Sequence, residues 1–171
     1  MDEIDESWLQ MLSKAMADAE SGGRGDVADY LRLKLTNDQM RQAGIRWLFE
    51  TVIEQAAQAG RAIAGISIER EHPHNFSAAG GNMVGSLVRV RHGVRSMTVE
   101  AGWPRTPSDG FIRGGALAAA RILHFGIAGE NTELYLRSGD IPRWHPDESS
   151  DSNTWFGADE IARHFEIFIG K

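Results

Sequence analysis

No cysteine occurs anywhere in the 171 residues. That absence excludes a cysteine nucleophile, Cys-ligated zinc, iron–sulfur clusters and disulfide cross-links. It fits a reducing compartment such as the cytoplasm. Long apolar runs are missing as well, and nothing approaches the roughly 18 consecutive apolar residues of a membrane-spanning helix. A basic leader is absent: Asp2, Glu3, Asp5 and Glu6 stand where a secretory n-region would carry positive charge. Lysine is scarce, with three against fifteen arginines. Acids outnumber bases 24 to 18, for a formal charge of −6, the opposite sign to a general nucleic-acid binder. The expectation is a soluble cytoplasmic protein with no membrane or nucleic-acid partner.

Catalytic signatures are missing too. There is no G-x-S-x-G elbow, no H-E-x-x-H, no G-x-x-x-x-G-K-[ST] and no G-x-G-x-x-G. Glu69, Glu71, His72 and His74 are dense enough to suggest a metal, but Pro73 interrupts them and no third ligand has a diagnostic spacing. The reading is therefore no metal and no cofactor.

What is present is an ordinary globular balance, 42% hydrophobic and 25% charged, in a chain long enough to bury a core. Charge is uneven. Residues 1–40 hold nine acids against four bases, and residues 84–145 hold eight arginines against five acids. Acidic helices covering a more basic sheet explain this; an anion site is the sharper alternative.

The first third reads as helical. Ser7-Trp8-Leu9-Gln10 matches a capping box, followed by Leu12 and Met16 at helical spacing and by Gly22-Gly23 as a stop. Asp26 is positioned to cap a short second helix carrying Val27, Tyr30 and Leu31. Thr36-Asn37-Asp38-Gln39 is a second capping box, and the stripe Ile45, Leu48, Phe49, Val52, Ile53 and Ala56 after it predicts a third helix ending near Gly60. Residues 1–22 are set apart as a helical arm, and 23–171 as a single α+β domain.

From Ile63 the period changes to alternation, with Ile66 and Ile68 on one side and Ser67 and Glu69 on the other. Leu87–Arg91 and Val94–Ala101 predict a hairpin about His92-Gly93, with Val88 opposite Met97 and Arg89 opposite Ser96. Residues 74–85 read as a loop centred on Gly80-Gly81, 116–125 as a short helix, 132–136 as a strand, 140–153 as an exposed polar loop, and 158–169 as a final helix. The fold class expected is α+β: N-terminal helices, then an antiparallel sheet of about four strands with helices packed mainly on one face.

The segment Gly102–Phe125 stands out as a site candidate. Arg105, Arg113 and Arg121 would clamp an anion, Gly114-Gly115 would open a helix toward it, Trp103 would stack on a planar body, and His124 would serve as acid or base. The competing reading is a Pro/Gly turn whose arginines pair with Glu100 and Asp109. Two functions stay open. The preferred one is a non-enzymatic protein-interaction or adaptor module that forms a homodimer through its N-terminal arm, with Trp8, Leu12 and Met16 of the arm exposed toward the partner and Trp144 and Trp155 as further partner contacts. The alternative is a small anionic-ligand-binding protein or enzyme built on residues 102–125.

Overall fold

The computed structural model describes residues 3–146 and 153–171. Two helices come first, α1 (Glu3–Ser21) and α2 (Gly25–Ala62). Six strands follow: β1 (Ser67–Ala78), β2 (Gly81–His92), β3 (Arg95–Trp103), β4 (Ala118–His124), β5 (Thr132–Arg137) and β6 (Arg143–His145). Helix α3 (Ala158–Ile169) closes the chain. The strands form one antiparallel sheet in sequence order, β1 to β6. The class is α+β, with six strands rather than four.

The expected break at Thr36 does not occur. The Thr36 hydroxyl donates back to the Arg32 carbonyl at 2.9 Å, inside a continuous helix. Asp38 is buried instead of capping, and holds Trp8 Nε1 (3.3 Å) and Arg41 (2.7 Å). Helix α2 is thus 38 residues long, about 57 Å at 1.5 Å per residue. Ser7 is no cap either, since α1 begins at Glu3.

The two halves of α2 do different work. Its C-terminal half lays Leu48, Val52 and Ala56 on the sheet. Gly44 permits the close approach: a Cβ there would lie 2.6 Å from Leu136 Cδ1. Its N-terminal half packs on α1, where Leu12, Ala19 and Ala28 are buried in a small core of their own, outside the main one. The acidic arm is therefore one limb of an αα-hairpin.

Helix α3 forms as the spacing predicts. Ile161, Phe165 and Phe168 face the core, Glu160 accepts from the Gly157 N–H at 2.8 Å, and Gly170 takes φ 78° as a left-handed cap. Helices α2 and α3 cover one face of the sheet. On that face Val88, Val99 and Ile122 form a row across β2, β3 and β4.

The predicted hairpin is present with a shifted register. Val88 pairs with Val99 and Arg89 with Thr98. A slip of two residues leaves every side chain on its expected face, which is why the patterning was right and the partners were not. Residues 74–85 are not a loop: they complete a hairpin of β1 and β2 that turns at Ala79-Gly80. Residues 116–125 are not a helix but contain the central strand β4, with Ala118, Ala119 and Ala120 all at 0% exposure. Of the polar segment 140–153, residues 147–152 lie outside the described residues. Part of the rest is β6, whose Trp144 is 1% exposed and donates to the Gly44 carbonyl at 2.9 Å. Trp144 is core, not a partner contact, while Trp155 stays half exposed under the Arg143 guanidinium.

Candidate functional site

The structure divides the predicted 102–125 site between the two sides of the sheet. Arg105 stacks on Trp103, its guanidinium 3.6 Å from the ring centroid, on the helix-covered side beside α2. Arg121 lies on the opposite face and donates to Glu100 at 2.7 and 3.0 Å. Arg113 pairs with Glu133, 3.3 Å away, on that same far face. Gly114 and Gly115 open no helix. They take φ 71° and 68° in a tight turn that only glycine adopts readily, and the Gly114 carbonyl accepts from Arg137. The three arginines therefore do not converge.

His124 lies deeper. It is 4% exposed beneath α3, with its Nε2 2.8 Å from Nδ1 of His164. The other His164 nitrogen meets the Thr132 hydroxyl at 3.3 Å. Burial pushes the His164 imidazole down to about 4, and the charges of His124 and Arg163 add to it. Burial also lowers His124, partly opposed by Glu130. Two neutral rings thus share one hydrogen bond in the core.

On the face away from α2 and α3 a second polar cluster forms. The row His74–Gly85–Gly102–Ala119 has no side chains at its two middle positions. A Cβ at Gly85 or Gly102 would come within 1.9 or 2.6 Å of a carbonyl oxygen on the other strand. His74 lies across this trough and reaches Glu100 at 2.8 Å. Glu100, 6% exposed, is held by His74 and Arg121 together. Neighbouring Glu69 pairs instead with Arg89 and Arg91, and His72 with Ser86. Among the described residues no three metal-ligating side chains gather at one point.

The turn after β3 is organised by Asp109. It accepts from Asn82 and from the Arg105 and Thr106 backbone N–H groups, which hold its carboxyl at about 2. Arg113 N–H donates to the Ala79 carbonyl at 2.9 Å, fixing the segment to the β1–β2 turn. Of the competing Pro/Gly-turn reading, the Arg121–Glu100 pair and the buried Trp103 are present, while Arg113 pairs with Glu133 and Phe111 stays exposed.

Of the arm residues expected to face a partner, Leu12 is buried against α2 and Met16 partly so, because α1 packs on the first half of α2, and only Trp8 stays exposed. Trp8, Met11, Tyr30 and Leu33 are 41, 60, 66 and 61% exposed. Measured in helical phase from the residues buried between the helices, Trp8 and Met11 on α1 lie on the same side of the hairpin as Tyr30 and Leu33 on α2. All four are exposed on that side, with the Trp8 indole donating to Asp38 beneath the Lys34 ammonium. Met11, Tyr30 and Leu33 were legible as apolar, but only the pairing of α1 with the first half of α2 shows that they share a face.

The molecule is thus an α+β protein with a six-strand meander, helices on one side and a projecting αα-hairpin. No family profile matches the chain, and comparison with curated proteins and with solved structures finds nothing similar. No described helix is long and apolar enough to cross a membrane.

Proposed function

We propose that this protein is a non-enzymatic interaction module of the cytoplasm that pairs with a second copy of itself through the α1–α2 hairpin. The carrying observation is the apolar surface of Trp8, Met11, Tyr30 and Leu33 on a hairpin outside the main core. Large apolar side chains grouped on one face of a protein are characteristic of contact sites. Two such hairpins packed face to face make a four-helix bundle and bury the stripe of each. Within one copy Arg32 is engaged by Glu20 and Asp29, and Lys34 and Arg41 by Asp38. The acid excess of residues 1–40 then opposes pairing, and salt should strengthen it by screening.

Light scattering on a sizing column tests this. The wild-type chain is expected to run as a dimer at tens of micromolar and more completely at high salt. Met11→Lys with Leu33→Lys is expected to give a folded monomer. A wild-type chain that stays monomeric at every concentration and salt overturns the proposal.

A further inference from the structure

Between α2 and the first three strands lies a cleft of about 340 Å³. Its walls are apolar. Ile45, Phe49 and Ile53 come from one side of α2, and Ala101 and Trp103 from β3. Its exposed border is basic: Arg46 from α2, Arg70 and His72 from β1, and Arg105 from the segment after β3. Three arginines from three elements line one cavity, against Glu50 as the single carboxylate there. This occurs in a chain whose net charge is −6.

Elsewhere the fold gives many of its arginines a carboxylate. Arg32, Arg41, Arg89, Arg91, Arg113 and Arg121 all contact one. Among the described residues no carboxylate contacts Arg46 or Arg70. A guanidinium is always charged, and apolar walls focus its field into the cleft. Arg105 is held on Trp103, its guanidinium 3.6 Å from the ring centroid. The His72 ring is anchored by its Nδ1 contact with the Ser86 hydroxyl at 2.6 Å.

We infer that this cleft binds a small organic phosphate monoester, its head group held by Arg46, Arg70 and Arg105 and its apolar body lying against Phe49, Ile53 and Trp103. A phosphate monoester is a dianion, and its three terminal oxygens suit three guanidinium forks. The apolar walls distinguish it from inorganic phosphate, which would leave them wet. The volume sits at the lower end of the roughly 300–1,000 Å³ common for ligand pockets, so the body is a single ring or its equivalent. Trp103 and Arg105 are shared with the site expected from sequence; Arg113, Arg121 and His124 take no part. The site is separate from the hairpin surface, so it stands whether or not the chain dimerises.

Calorimetric titration with phenyl phosphate tests it, with inorganic phosphate and benzyl alcohol as head-only and body-only probes. Phenyl phosphate is expected to bind with a Kd of about 1 mM or tighter, and inorganic phosphate roughly ten-fold more weakly or worse. Benzyl alcohol is expected to give no measurable binding. Arg46→Gln with Arg70→Gln should weaken phenyl phosphate about ten-fold or more, while Arg91→Gln, outside the cleft, should leave it unchanged. Both cleft positions are exposed, so a thermal melt matching wild type accompanies the double variant; were it to unfold, Arg70→Gln alone gives the reading. Absence of binding at about 10 mM phenyl phosphate overturns the inference. So does equal affinity for inorganic phosphate, or an equal loss in Arg91→Gln.

Discussion

Mild acid should destabilise this protein through the histidine pair beneath α3. In the folded chain His164 is held at about 4, against an ordinary 6.5. Between those values the unfolded chain binds a proton at this position and the folded chain does not, so stability rises with pH. The contribution is complete above about 6.5 and is lost as pH falls toward 4. The full shift corresponds to about 3 kcal/mol, and the stretch from 6.5 down to about 5 to somewhat less than 2. His124 moves in the same direction and adds to it. Against a total stability of about 5–15 kcal/mol this is a large fraction. The groups facing the pair are accounted for: Glu130 favours protonation of His124, Arg163 opposes that of His164, and Thr132 offers only a hydroxyl. Asp109, held at about 2, titrates well below the window. Urea melts at several pH values between about 7.5 and 5 give the slope, and His164→Leu should flatten it by close to one proton even though it lowers stability at neutral pH. A wild-type slope of zero across that range, or one unchanged in His164→Leu, would refute the assignment.

Other perturbations follow from named contacts. Glu100→Ala strips the carboxylate from both His74 and Arg121; the loss should be about 2–3 kcal/mol, moderated because the Arg121 side chain is 31% exposed. Combining it with Arg121→Ala should cost less than the sum of the two in denaturant melts. Gly44→Ala gains roughly 1 kcal/mol in helix propensity but drives a methyl into Leu136, so a net fall in melting temperature is expected. Trp144→Phe keeps a six-membered aromatic ring but removes the indole N–H that bonds the Gly44 carbonyl and leaves a void in the core, for about 2–3 kcal/mol in a chemical melt. Asp109→Ala should leave global stability close to wild type while hydrogen exchange at the Arg105 and Thr106 amides speeds up.

Elements with one buried face were legible in the sequence. Helix α3 has the predicted bounds, and the β2–β3 faces follow the alternation of apolar and polar residues. Elements that break that pattern were not. Ala118–His124 is alanine-rich, which reads as helix by propensity, but a central strand covered on both sides needs small residues and shows no alternation. Strand β1 is an edge, so its polar run His74–Ser77 resembled a loop. The Thr36 motif fits a helix start and equally a hydroxyl bonding back within a helix; only the packing of α1 on α2 decides. Of the cleft, Trp103 and Arg105 could be found along the chain, but Arg46 lines it only because α2 crosses the strands, and Arg70 because β1 and β3 flank β2. Arg121 is turned to the far face by strand parity in β4, which a helical reading of 116–125 could not reveal.

An open antiparallel sheet has two raw margins, and each can template growth into fibrils. Here neither is inviting. Strand β6 is three residues long, and the Phe156 amide already occupies its outer rim by donating to Trp144. Strand β1 is long, but it is irregular between Glu71 and His74, has Pro73 where an amide hydrogen would be, and is crowded with Glu69, Arg70 and Glu71. A stray strand from another molecule finds no continuous ladder to extend. Crowded or heated solutions should therefore push this chain toward helix-mediated contacts rather than cross-β deposits, and amyloid-binding dyes should stay dark until the sheet itself comes apart.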